Sequence, residues 1–298
     1  LCDNGRTEGV HDPHENRRLI AELVNSTLVG AVPTHHSVRY RVRDQVTTLT
    51  GAAMTSAETS AANSAMCAWM SEVLGASGHD PGPQLGRCRR KLLIEEVDNI
   101  EHVLASLELH DASGYLDLVI ALVPALADTS WRSKAVEWVD KALRIPTVDQ
   151  NRRALATIAS VMLEADLASV AGRRAEIEAA HGLIASCDLR RTAWWFVANM
   201  QLAITAGWNG ELDSARGHLT EAERAGGDTP WENAVVDRYR SLVVFAGGAV
   251  DEALRLAIDS ADRLESLGDF PQAVGALYFA ITIARSSNTD EYGNLMER

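Results

Sequence analysis

The chain of 298 residues is 46% hydrophobic and sets 28 Lys and Arg against 41 Asp and Glu, a formal net charge of -13. There is enough apolar material for a substantial core, and the acidic balance excludes a nucleic-acid binder that uses its whole surface, because phosphate backbones are repelled unless basic residues are segregated. Cys2, Cys67, Cys88 and Cys187 lie far apart with no CxxC pair, which excludes a disulfide scaffold and is expected of reduced thiols in a cytoplasmic protein. No stretch approaches the roughly 18 uncharged apolar residues of a membrane span, so no membrane partner is expected. The opening LCDNGRTEGVHD lacks a basic start followed by an apolar run. It begins on Leu and enters at once into what reads as the middle of a small domain, as a piece of a longer protein would.

In chain order, residues 14–25 set Leu19, Ile20, Leu23 and Val24 on one face with Arg17, Arg18 and Glu22 opposite, the pattern of a short amphipathic helix. Strands are expected over Thr27-Leu28-Val29 and over 37–43, on either side of Pro33-Thr34-His35-His36. A helix followed by a two-stranded wing is the second half of a winged helix, so a partial winged-helix domain is assigned to 1–46. Arg39, Arg41 and Arg43 alternate along the second strand and therefore share one face. They form either a contact to phosphate or to a neighbouring domain, or a solvated strand face. A helix over Gln45 to Leu74 and the turn-rich GASGHDPGPQLG of 75–86 make 47–88 a connecting helix and linker.

From 89 to 298 every segment reads as helix: about 90–109, 114–128, 131–144, 150–169, 172–187, 190–207, 211–225, 230–246, 249–266 and 270–286. Ala135, Ala175, Ala215 and Ala253 recur at 40, 40 and 38 residues, and Ala154, Ala193, Ala234 and Ala273 at 39, 41 and 39. Seven residues after the first series stand Ala142, Gly182, Ala222 and Ser260, again small. Two helices per period, each with its own small contact position, define a repeat array. The fold class is therefore mainly α: a helical-repeat array, an α-solenoid of four to five antiparallel pairs wound right-handed, preceded by the partial winged helix with its two-stranded wing.

The chemistry is sparse. G-x-x-x-x-G-K-[ST], G-x-S-x-G, H-E-x-x-H and G-x-G-x-x-G are all absent from the sequence, so no catalytic residue, no metal and no cofactor is assigned to this chain. His11, His14, His35 and His36 read as polar loop residues, His102 and His181 as helix-surface residues, and Glu95-Glu96 and Glu221-Ala222-Glu223 as solvated faces. The densest aromatic cluster is Trp194-Trp195-Phe196, preceded by Arg190 and Arg191. Consecutive helical residues point about 100° apart, which leaves two readings: all pack at inter-helix seams, or at least one opens on a groove near Asn199 and Arg238, suiting an anionic or aromatic effector.

Three stretches resemble one bacterial group. Leu23-Val24-Asn25-Ser26-Thr27-Leu28-Val29 followed by Tyr40-Arg41-Val42-Arg43-Asp44-Gln45-Val46 is similar to the winged-helix ending "LVDRSLV … YRLLETV" of STAND-type signal-transduction NTPases. The segment from Glu95 to Leu104 resembles the "E-x-DNLRAAL" that opens the tetratricopeptide-like region of LuxR-family and AfsR-like regulators, and Ser130 to Leu143 resembles their "G-x-x-x-EGRRWLERAL", with Lys134 in place of an acid. The resemblance implies the sensor and interaction region of such a transcriptional regulator, binding an effector or protein partner on the concave repeat face. It also implies an upstream nucleotide-binding domain, and makes DNA contact by this chain not expected. The alternative is a freestanding helical-repeat adaptor for protein segments.

Overall fold

A computed structural model of the chain describes residues 13–26, 28–33, 38–42, 53–73, 93–127, 129–146, 149–164, 167–186, 193–226 and 229–287. They fall in two compact units, Leu1–Met70 and Ser71–Arg298, with the boundary inside the expected connecting segment. The linker of 75–86 lies outside the described residues.

In the first unit α1 (Pro13–Asn25) leads to β1 (Val29–Pro33) and β2 (Val38–Val42), which pair antiparallel with Val29 opposite Val42 and Pro33 opposite Val38. β1 begins later than the sequence pattern suggests because the helix end is closed first: the Ser26 hydroxyl donates to the Leu23 carbonyl, and so does the Leu28 amide. These bonds occupy the orphan carbonyl of the last turn, and only beyond them is the backbone extended. α2 (Ser56–Val73) follows, its residues up to Met70 completing the described part of this unit; its start is fixed by a reciprocal cap in which Thr55 and Glu58 bond each other's backbone and side chains.

The second unit runs α3 (Val97–His110), α4 (Ala112–Leu126), α5 (Arg132–Leu143), α6 (Gln150–Met162), α7 (Leu167–Gly172), α8 (Arg174–Ser186), α9 (Ala193–Trp208), α10 (Leu212–Gly226), α11 (Pro230–Ala246), α12 (Val250–Ser266) and α13 (Phe270–Ser287). Punctuation follows local chemistry. Asp111 alone separates α3 from α4 and caps the latter by accepting from the Gly114 amide at 2.9 Å. The Thr229 hydroxyl caps α11, accepting from the Glu232 amide and donating to the Glu232 carboxylate, with Pro230 in the first turn. Gly210, Gly248 and Gly268 adopt φ of +77°, +87° and +78° just past α9, α11 and α12. At each, the following amide reaches back to Ala206, Val244 or Leu264, a left-handed closure that favours glycine.

Packing is that of a stacked array. One layer is built from α4, α6, α9, α11 and α13, each touching the next, while α5, α8, α10 and α12 pack against them as second helices. The small positions carry this arrangement: Ala135, Ala142, Ala215, Ala222, Ala253 and Ser260 are buried, and the Ser260 hydroxyl donates to the Ala234 carbonyl at 2.7 Å, backbone against side chain. One repeat departs from the expected register. Ala175 and Gly182 are exposed, and Ile177, Ala180 and Ile184 face inward instead. The expected helix of 150–169 stops at Met162, and the short α7 intervenes, which slides α8 by two residues. Ion pairs tie neighbouring helices about one period apart: Lys134 to Glu101 at 2.7 Å, and Arg152 to both oxygens of Asp117 at 2.8 and 2.9 Å.

Two substitutions on α10 separate seam from surface. Ala215→Leu forces a larger side chain into a fully buried contact and is expected to cost about 1–3 kcal/mol. Gly217→Ala, where an added Cβ meets nothing within 4 Å, is expected to stabilise by about 0.5–1 kcal/mol. Thermal unfolding followed by circular dichroism measures both, and equal melting temperatures would contradict the seam.

Candidate functional site

The candidate site grows from α9 because that helix is enclosed on every side, touching α6, α7, α8, α10 and α11. Three successive directions around it therefore all lead into packed helices, and Trp194, Trp195 and Phe196 are buried together at 1%, 6% and 2% exposure. Trp195 faces the preceding repeat, where the His181 ring of α8 stacks on it with centroids 4.0 Å apart. Phe196 faces the following repeat and lies against Trp231 at 6.3 Å. Trp194 goes deepest, and its Nε1 has no hydrogen-bond partner among the described residues.

Polar atoms are threaded through this packing. Asn199, fully buried, donates from Nδ2 to the Trp195 carbonyl at 3.0 Å, which orients its Oδ1 towards His218 of α10. That oxygen only accepts, so His218 Nδ1, 3.0 Å away, carries the proton of the neutral ring. The His218 and His181 rings meet edge to face at 5.9 Å. Burial pushes the His218 pKa down, and the Arg174 guanidinium lowers it further against a smaller opposing pull from Glu178 and Glu221. His181 is thus half-buried in an aromatic stack, not on the helix surface as its Glu- and Ala-rich neighbours suggest, because the two-residue slide of α8 turns it towards α9. His102 is exposed as expected.

Arg238 of α11 lies in a second constellation. Its Nη1 donates to Gln272 Oε1 on α13, and its guanidinium carbon sits 5.0 Å from the Tyr239 ring centroid and 4.8 Å from that of Phe279. Gly275 makes the space: a Cβ there would come within 2.4 Å of Arg238 Nη2. Its neighbours are compensated, Arg240 by Glu223 and Asp237 and Arg263 by Asp237. Among the described residues no carboxylate pairs with Arg238, and its buried Nε has no acceptor. A guanidinium held by rings and an amide keeps its capacity for an anion.

Of the residues singled out from sequence, Trp194, Trp195 and Asn199 belong to the α9 constellation and Arg238 to that of α11 and α13. Arg190 and Arg191 lie outside the described residues. Arg39 and Arg41 occupy alternate positions of β2 opposite Val32 and Gly30. Arg43 lies outside the described residues, as do His11, His35 and His36. His218, Gln272 and Gly275 were not found by sequence reasoning; a glycine inside the otherwise regular pattern of α13 was the available signal. Among the described residues no three His, Cys, Asp or Glu side chains converge as a metal site. The chain matches no known protein-family model, no curated protein and no solved structure.

The His218 environment predicts a pH dependence. Its folded pKa lies below the ordinary value, so the unfolded chain takes up a proton first on acidification, and stability is expected to fall as pH drops below about 6.5. His218→Asn, which retains a donor towards Asn199, is expected to remove that part of the slope. Melting temperatures between pH 7.5 and 5.5 measure it, and equal slopes for both proteins would contradict a buried neutral imidazole.

Proposed function

We propose that this chain is the sensor and interaction region of a cytoplasmic STAND-type transcriptional regulator: a tetratricopeptide-like array, preceded by the end of a winged helix, that binds an effector or partner on its repeat face. The observation that supports this most is the pairing of Glu101 with Lys134 at 2.7 Å. In the stretches these segments resemble, "E-x-DNLRAAL" holds an Arg where Glu101 stands, and "G-x-x-x-EGRRWLERAL" holds an acid where Lys134 stands. Two departures of opposite sign face each other as one ion pair, as a compensated swap within a shared framework does. Both side chains are about two-fifths exposed, so the pair is worth less than about 1 kcal/mol; its value is as a marker of register between α3 and α5.

Within the array Arg238 is the residue best suited to read an effector, as a cation beside two aromatic rings that pairs with no carboxylate among the described residues. An effector acts on the parent protein only through unequal affinity for its resting and active states. An anion that bridges α11 and α13 through Arg238 and Gln272 would favour whichever state holds those helices together.

The test is a thermal-shift series at fixed protein concentration with anionic metabolites, neutral metabolites and peptides. A ligand at 100 times its dissociation constant stabilises by about 2.7 kcal/mol. The expected outcome is a saturable rise with an anionic class that is lost in Arg238→Met. No shift from any class, or one that survives Arg238→Met unchanged, would contradict the assignment of the effector to this position.

A further inference from the structure

The first-layer helices α6, α9, α11 and α13 share a register set by Ala154, Ala193, Ala234 and Ala273, and α13 differs from the other three in exposure. One position after the small anchor, Leu155 of α6, Trp194 of α9 and Val235 of α11 are buried at 0%, 1% and 5%, whereas Val274 of α13 is 63% exposed. Four residues further on, Ala159 and Ala198 are buried and Tyr239 is half-buried, whereas Tyr278 is 66% exposed. What covers this face on α11 is α13 itself: Val235 packs in one cluster with Ala273 and Ala276, and the Tyr239 ring meets Phe279 edge to face at 6.1 Å. The same face of α13, extended by Phe270 at 40% exposure, is a repeat seam without its next helix among the described residues. A repeat face left to solvent is ordinarily polar, whereas this one is aromatic and aliphatic.

From this continuity with the α11–α13 seam we infer that a second copy of this chain docks there, α13 against α13, around a two-fold axis at Val274. Two features select a copy of the same chain. Phe270, Val274 and Tyr278 are spaced four and four, so an antiparallel α13 with Val274 on Val274 sets each Phe270 against the Tyr278 of the other copy, the self-complementarity a two-fold interface requires. The chain as a whole carries -13 and repels its copies, yet α13 holds a single ionic side chain, Arg285 in its last turn. The approach is therefore free of like charge along the seam. By contrast α12 carries Asp251, Glu252, Arg255, Asp259, Asp262, Arg263 and Glu265 and is suited to solvent. The inference is independent of which ligand Arg238 binds.

Sedimentation velocity from about 1 to 100 µM tests it on the whole chain, since weak homodimers assemble in that range. The expected result is a species of twice 32.3 kDa that reverts to 32.3 kDa in V274K/Y278K, with the melting temperatures of the two proteins equal at concentrations where both are monomeric, because both positions are exposed in the single chain. The substitutions are expected to weaken association by about 100-fold or more. Val274→Cys, in a chain whose Cys2, Cys67, Cys88 and Cys187 are replaced by Ser, is expected to form a disulfide-linked dimer on oxidation, whereas Val136→Cys on the exposed face of α5 does not. Mass remaining at 32.3 kDa through 100 µM, a dimer that survives V274K/Y278K, or equal crosslinking at both cysteines would overturn the inference. So would a monomer in which Tyr278 becomes accessible to solvent only after residues 288–298 are removed, since that result assigns the face to the chain's own end.

Discussion

The structure depends on how closely two helices approach when the residues between them are small. Ala215, Ala222, Ala253, Ala257 and Ser260, whose side chains are no larger than a methyl or hydroxymethyl group, are all fully buried in the stack. The Ser260 hydroxyl reaching the Ala234 carbonyl shows how little room remains. Small contact positions trade hydrophobic area per residue for van der Waals packing summed over a whole helix length. Pairs of helices held this way expose a flat apolar layer, and that layer is satisfied by the next pair. The array propagates by this one requirement, and the interhelix ion pairs from Lys134 and Arg152 sharpen its register while adding little stability.

The same requirement explains where polar chemistry collects. A helix in the middle of the stack has neighbours all around it, so a polar group that enters must be met from within. Asn199 is met by its own helix and by His218, and the His181 ring closes the assembly by stacking on Trp195. Arg238 is different, because rings and an amide lie beside it and among the described residues no carboxylate pairs with it. On α13, among the described residues, the requirement is met by no further helix, and Val274 and Tyr278 keep the residues of a seam in the position of a surface. Internal polar order and this exposed apolar face thus have one origin.

Much of this is legible in the sequence and part is not, for physical reasons. Helix existence follows from apolar spacing, and boundaries such as Thr229-Pro230 and Gly210 follow from capping chemistry that is local. The forty-residue beat locates the seam wherever linkers keep constant length. It fails at Ala175 and Gly182, where the short α7 lengthens the connection and moves Ile177 and Ile184 into the contact. The enclosure of α9 is a property of five neighbouring helices, so the burial of all three consecutive aromatics could not be read from their 100° spacing. The surroundings of Arg238 depend on Gly275, one period away, and a glycine shows only that something comes close, not what.

Native-state hydrogen exchange at increasing denaturant examines the central claim, that the array is a single continuous stack closed around α9. A helix with packed neighbours on every side opens only when the whole unit does, so the amides of α9 are predicted to exchange with the free energy of global unfolding. The second helices, each packed from fewer sides, are predicted to exchange at lower cost. If α9 instead exchanged through a local opening cheaper than that of α10 or α12, the enclosing seams would not be holding the fold and the account would be wrong.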